Sequence, residues 1–205
     1  YLLTLIDGAL KDDKVNLKYL KIAEKAVERL ILIAKDLDLI TKLESDNMNL
    51  EKSDFNLISI INNVFEMLEI QANKKNISLL IDSKLKRVNV NADQEKIHQV
   101  LTNLIENSVK YGKQDGTTEI SIEDLIEDKL IIRITDNGKG IKKEHFERLF
   151  ERFYRVESSG NRSTGGSGLG LAIVKHIIDA HNEKIYVESD FGIGSEFSFS
   201  LQKSN

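Results

Sequence analysis

Asn103 and Asn107 lie one helical turn apart in an amphipathic stretch, and Lys110 follows three residues later. At i and i+4 both amides project from one helix face. An Asn carbonyl is a neutral hard-oxygen ligand suited to a Mg2+ that already carries phosphate oxygens, and the Lys110 ammonium can supply a point charge to the same anion. Taken alone, the pair reads more simply as a polar, solvated helix face. A second cluster, Asp136-Asn-Gly138-Lys-Gly140-Ile141, closes the alternating apolar stretch from Leu130 to Thr135. Its glycines let backbone approach a flat ligand closely, and a carboxylate at a strand end can accept a hydrogen bond from an exocyclic amine such as that of adenine. The plainer reading is an Asp-Asn-Gly turn between strands.

Two further clusters point to an anion. Between Lys139 and Gly165 there are seven Lys or Arg against four Glu, a local charge of +3 in a chain of −4, and this stretch includes Phe146, Phe150, Phe153, Tyr154 and Arg155. A long cationic segment beside Gly-rich sequence reads as a lid over an anion, and also as a charged helix with a core-facing Phe stripe. The fourth cluster, Gly165-Gly166-Ser-Gly168-Leu169-Gly170-Leu171, runs straight into an apolar helix. Free backbone N–H groups and the positive end of the dipole at such a junction favour phosphate. No strand immediately precedes it, so it is not a dinucleotide fingerprint, and without a Gly-Lys-Ser/Thr ending it is not a P-loop.

These residues need elements to hold them. Leu20, Ala23, Val27, Leu30, Ala34 and Leu37 recur at 3,4 spacing, a heptad seam on a helix from about Asp13 to Glu44, on the order of 45 Å long. Extra apolar positions at Ile31, Ile33 and Ile40 widen the stripe and predict packing in a dimeric bundle. The apolar residues Tyr1 to Leu10 read as the tail of a preceding helix, with a turn at Gly8 and Lys11 to Lys14. Ser45 to Phe55 reads as a polar connector. Helices are predicted over Asn56 to Asn73, Asp93 to Tyr111 and Ser167 to Ala180. Strands are predicted over Ile77 to Asp82, Glu119 to Asp124, Lys129 to Asp136, Lys184 to Ser189 and Ser195 to Leu201, with Asn137 to Gly166 irregular. Three helices with about five mostly paired strands indicate an α+β fold, a two-layer α/β sandwich preceded by a partial helical hairpin.

Composition excludes several classes. The chain has 205 residues and a formal charge of −4, with 40% hydrophobic residues, enough for a core and outside the disordered range. Acidic balance, 6% aromatics and no Trp argue against a nucleic-acid partner. No Cys is present, which removes disulfides and thiolate chemistry. No apolar run nears the roughly 18 residues of a membrane span, so the chain reads as soluble, without membrane contact of its own. Pro is absent where average usage predicts about ten.

In order and spacing, Asn103 to Tyr111, Asp136 to Ile141, Phe150 to Arg155, Gly166 to Leu171 and Gly192-Ile-Gly194-Ser resemble the nucleotide-binding boxes of sensor histidine kinases. The resemblance implies a catalytic ATP-binding domain over 49–205 with the Bergerat α/β sandwich shared with DNA gyrase. Residues 1–48 would be the later part of a dimerisation and phosphotransfer hairpin. It implies ATP and Mg2+ as cofactors, with Asn107 on the metal and Asn103 near the phosphates. Lys110 and Tyr111 would face the triphosphate and ribose, and Asp136 would bond the adenine amine, with Gly138, Gly140 and Ile141 shaping that pocket. Tyr154 and Arg155 would reach in from the lid, and Gly166, Gly168, Leu169, Gly170 and Leu171 would line the phosphate loop. Asn103, Lys110 and Arg155 are the residues assigned to catalysis. The implied partners are a second copy of the chain, through the hairpin, and the receiver domain of a response regulator. The implied placement is cytoplasmic, with anchoring of a longer parent at the inner membrane left open.

The family acceptor box, of His-Glu-x-x-Thr-Pro-Leu type, has no counterpart here, which fits the lack of Pro. His98, His145, His176 and His181 read as surface or packing residues, so this stretch by itself is not expected to autophosphorylate. Gyrase-type ATPases carry a Glu at the position of Asn103, and an amide cannot accept that proton. Slow hydrolysis is therefore expected. The alternatives are a water-using ATPase with Glu106 as base and a non-catalytic dimeric scaffold.

Overall fold

The computed structural model describes residues 13–44, 50–82, 87–126, 128–156 and 167–204. The expectations for Tyr1 to Leu10, for the turn at Gly8 and for Gly166 lie outside the described residues. The first helix, α1, spans Asp13–Glu44 as the seam predicts. Leu20, Val27, Leu30 and Leu37 of that seam are exposed on the single chain, while Ile33 packs against the main core.

The connector expected over Ser45 to Phe55 is partly a strand. Lys52–Asn56 forms β1, paired antiparallel with β3 (Asn89–Asp93), which the sequence reading also passed over. Both are mostly polar, and only Phe55, Val90 and Ala92 turn apolar side chains inward. Helix α2 (Leu57–Asn73) starts at Asn56, whose Oδ1 accepts from the N–H of Ile58 at 3.3 Å and of Val88 at 3.1 Å, a side-chain N-cap. Strand β2 is Ser78–Asp82, and α3 spans Gln94–Tyr111 behind the Asp93 cap.

Strands β4 (Thr117–Asp124) and β5 (Lys129–Asp136) follow, and a short 3-10 helix (Lys143–Arg148) stands inside the stretch expected to be irregular. Helix α4 spans Gly170–Ala180, three residues shorter than predicted. Gly168 has φ +76°, a left-handed conformation that no α-helix contains. Strands β6 (Ile185–Asp190) and β7 (Gly194–Gln202) close the fold.

The main sheet has order β2-β4-β5-β7-β6, with β2 parallel to β4 and every other pair antiparallel. Register puts Ile120 beside Ile134, Ile134 beside Phe197, Ile132 beside Phe199 and Leu130 beside Leu201. All are buried on one face, and they join Leu57, Ile61, Leu101, Leu104 and Ile177 of the helices in one core. The result is the predicted two-layer sandwich, with helices on one side of a mixed sheet. Among the described residues no helix is long and apolar enough to cross a membrane.

Candidate functional site

Helix α3 runs beneath the site and is fixed at its start by a buried cluster. Asp93 Oδ1 accepts from Lys96 N–H (3.1 Å) and Oδ2 from Glu51 N–H (3.1 Å). The Asp93 N–H donates to His181 Nε2 (3.0 Å), which leaves the ring proton on Nδ1 to donate to the Ile177 carbonyl (2.8 Å). His181 at the end of α4 therefore ties that helix to the start of α3. Burial holds its pKa below the ordinary histidine value, consistent with a neutral ring that must accept at Nε2.

Ten residues along α3, Asn103 and Asn107 are half-buried while Glu106 is exposed. Asn103 Nδ2 is fully buried without a hydrogen-bond partner, the single such side-chain atom among the described residues. Unpaired buried donors are rare and call for an explanation. A side-chain carbon on Gly170, the first residue of α4, would lie 3.3 Å from Asn103 Oδ1. The structure thus brings together two clusters 67 residues apart in sequence, the amide face of α3 and the amino end of α4, whose first N–H groups have no intrahelical acceptor. Leu169 is buried and Leu171 packs on the core, so their side chains anchor this junction and leave their backbone as the part open to a ligand role.

Eight residues further, about 12 Å along the α3 axis, the helix ends at Tyr111 against the Asp-Asn-Gly turn. A Cβ on Gly138 would sit 2.6 Å from Asp136 Oδ1, 2.7 Å from the Tyr111 carbonyl and 3.0 Å from Gly112 Cα, so only glycine fits. Asp136 Oδ1 accepts from Gly138 N–H at 2.8 Å. Burial raises the Asp136 pKa, and the backbone N–H groups of Gly138 and Ser195 offset part of that rise. A carboxylate desolvated beyond what its backbone donors offset would gain from one more donor.

Gly140 (φ +66°) lies so close to the Asp190 carbonyl that a Cβ would be 2.0 Å away, and Gly194 stands in the same relation to the Asp136 carbonyl. Ser189 Oγ accepts from Ile141 N–H (2.8 Å) and donates to the Gly194 carbonyl (2.6 Å), joining the predicted Ile141 wall to the β6–β7 turn. Lys110 stands over the Tyr111 ring, 5.1 Å from its centroid.

The lid segment is only partly irregular. Phe150 packs on the core as the Phe stripe implied, but Phe153 is exposed with φ +61°. A Cβ on Gly168 would fall 2.8–3.0 Å from Phe153 backbone atoms, so the two backbones approach closely at this pair. Tyr154 Oη pairs with His145 Nδ1 at 2.7 Å, and the Arg148 guanidinium lies 4.3 Å over the Tyr154 ring. His145 is thus more than a surface residue. Arg155 is exposed next to Tyr154.

Sequence reasoning missed Lys75, Asn137, Ser189 and the partner of His181. All four act on backbone groups, which have no sequence signature. Asn137 Oδ1, for example, accepts from Thr117 N–H at 2.9 Å and so locks the Asp-Asn-Gly turn to β4.

Residues 92–205 match the family model described as histidine kinase-, DNA gyrase B-, and HSP90-like ATPase. Over 204 residues, 98% of this chain and 48% of the relative, the sequence is 35% identical to the sensor protein kinase WalK of Staphylococcus aureus. The nucleotide-free catalytic domain of the histidine kinase ThkA superposes with a TM-score of 0.64 at 31% identity, covering 75% of this chain and 96% of that one. ThkA in complex with the response regulator protein TrrA gives a TM-score of 0.78 at 28% identity over 99% of this chain and 56% of that one. The chain spans between a third and half of the length of the curated relatives it matches.

Proposed function

Since the chain belongs to the histidine kinase-, DNA gyrase B- and HSP90-like ATPase family, we propose that it is the ATP-binding catalytic part of a sensor histidine kinase. The observation that carries this reading is the buried, unpaired Nδ2 of Asn103, on a side chain whose Oδ1 lies nearest the glycine that begins α4. A phosphate oxygen is the acceptor that such a donor lacks. The purine lies at the other end, its exocyclic amine donating to Asp136. The Asn107 carbonyl would take one position on Mg2+. Among the described residues no group of three or more His, Asp or Glu could hold a metal, so a bound Mg2+ would draw its other ligands from the nucleotide and water. When bound, Mg2+ neutralises charge on the phosphate oxygens.

The chain's own residues position and shield. Lys110, and Arg155 from the lid, supply positive charge near the phosphates, and backbone N–H groups of Gly168 to Gly170 face them. Tyr111 and Tyr154 flank the sugar side, and Gly138, Gly140 and Ile141 shape the base pocket. In the transfer, the bond from the γ-phosphorus to the β–γ bridging oxygen breaks and a bond from phosphorus to an imidazole nitrogen forms. ADP leaves, and the imidazole gives up its proton. The accepting His belongs to the dimerisation hairpin of the whole protein, of which residues 1–48 are the later part, and 49–205 form the catalytic domain.

The exposed Leu20, Val27, Leu30 and Leu37 stripe supports a homodimer, and the likeness to ThkA supports a receiver domain as onward partner, on the cytoplasmic side where ATP is found. Water is a poor acceptor in this site. The Asn103 amide cannot take its proton, and Glu106 is exposed on another part of α3. Steady-state turnover with labelled ATP, next to binding of a nonhydrolysable analogue, tests the reading. Binding is expected with hydrolysis well below about 1 s−1, the lower end of ordinary enzyme turnover. Fast hydrolysis would point to the water-using ATPase, and no binding to a scaffold.

A further inference from the structure

Lys75, on the loop after α2, sends its ammonium to the far end of α3. Nζ donates to the carbonyls of Lys110 (2.5 Å), Val109 (3.0 Å) and Gly112 (3.2 Å). These are among the carbonyls that a helix end leaves without intrahelical donors, and a cation there also complements the dipole. The loop is held from its other side as well. Asp115 N–H donates to the Lys75 carbonyl (3.0 Å), Asn76 Nδ2 to Asp115 Oδ1 (2.6 Å), and Ser78 N–H to the Gly116 carbonyl (2.9 Å).

The same short stretch of backbone is the seat of the Asp-Asn-Gly turn. Gly138 has no room for a Cβ against the Tyr111 carbonyl and Gly112 Cα, and Gly116 none against Asn137 Oδ1. Displacing the last turn of α3 therefore moves Gly138, and with it the Asp136 carboxylate that Gly138 N–H holds.

We propose that Lys75 is a positioning residue for the purine end of the cleft: its ammonium fixes the last turn of α3, on which the Asp136 to Gly138 turn is seated. This rests on the ATP reading above. Burial first, and the Lys139 charge second, hold the Lys75 pKa below the ordinary lysine range, so the site tolerates two cations near the base pocket at some cost. Lys75 donates to backbone carbonyls, and although Lys110 and Tyr111 project from the same turn, the larger part of its effect is expected in recognition of the base, where Gly138 is seated directly on that backbone.

The preference for ATP over inosine triphosphate, which carries the same phosphates without the exocyclic amine, reads that recognition. Displacement of a fluorescent nucleotide from the full chain measures it. Lys75→Met is expected to lower the preference about tenfold, the low end of what losing one hydrogen bond to a charged group costs, with a clearly smaller loss of affinity for inosine triphosphate. Lys75→Arg, which keeps the charge and donors, is expected to restore most of the preference. Equal losses for both nucleotides, or an unchanged preference in folded K75M, would overturn the inference while leaving the ATP reading intact. If K75M does not fold, K75Q is judged by the same criterion. A wild-type chain that binds neither nucleotide overturns the ATP reading, and this inference with it.

Discussion

Replacing Asp136 by Asn should separate binding from stability. In the folded chain Asp136 is half-buried with its pKa raised, and two backbone N–H groups only partly offset the loss of water. A raised carboxylate pKa favours the folded state only below the unfolded value near 3.8; that gain disappears as pH rises through the higher folded value. At neutral pH the charge is thus a liability to folding. Asn removes the charge at nearly constant shape and keeps an oxygen for Gly138 N–H, now 2.8 Å from Oδ1. It then presents an NH2 where the carboxylate offered its free oxygen, donor against the donor of the purine. The charge-assisted bond so lost contributes about 1.5–3 kcal/mol, equivalent to about a ten- to 150-fold weaker affinity.

Calorimetric titration with a nonhydrolysable ATP analogue, paired with thermal melts of D136N and wild type, reads both quantities. The expected result is weaker binding with a melting temperature equal to or above wild type. Wild-type affinity should also fall as pH drops toward the raised Asp136 pKa, whereas D136N should show a flatter profile. Retained affinity in a folded D136N, or a loss of stability that accounts for the loss of binding, would refute the reasoning.

Asn103→Ala should weaken the Mg2+–ATP analogue about tenfold, within the reach of one hydrogen bond to a charged group, yet shift stability by less than about 1 kcal/mol because Nδ2 has no partner to lose; chemical denaturation checks the second half. His181 is held neutral, so its stabilisation is present above the unfolded value near 6.5 and fades as pH falls through the lowered folded value. His181→Ala should cost about 1–3 kcal/mol at pH 7.5 by leaving Asp93 N–H unpaired, and urea melts should show a shallower acid limb, with His176, also lowered, supplying what remains. Leu30→Glu, on a side chain 64% exposed in the single chain, should convert dimer to monomer in sedimentation velocity without lowering nucleotide affinity.

Much of this was legible because the strongest signals were periodic. The apolar alternation of Lys129 to Asp136 and the 3,4 spacing of Ile97, Val100, Leu101, Leu104 and Ile105 are properties of one segment each, and their burial follows from them. Strands β1 and β3 were not legible, since Lys-Ser-Asp-Phe-Asn and Asn-Val-Asn-Ala-Asp carry few apolar residues and pair across 33 to 41 positions, from Asn56 opposite Asn89 to Lys52 opposite Asp93. Asn103 and Gly170 could each be picked out by residue type, but their contact is a product of how α3 and α4 pack. Lys75 had no signal at all. Its partners are carbonyls, and any lysine in a polar loop looks the same in sequence.

The most direct test is a crystal structure of the chain with Mg2+ and a nonhydrolysable ATP analogue. The account predicts a purine amine within hydrogen-bond distance of Asp136, the metal on Asn107, and phosphate oxygens shared by Asn103 Nδ2 and the amino end of α4. A nucleotide bound elsewhere, or Asn103 Nδ2 still unpaired beside a bound triphosphate, would contradict it.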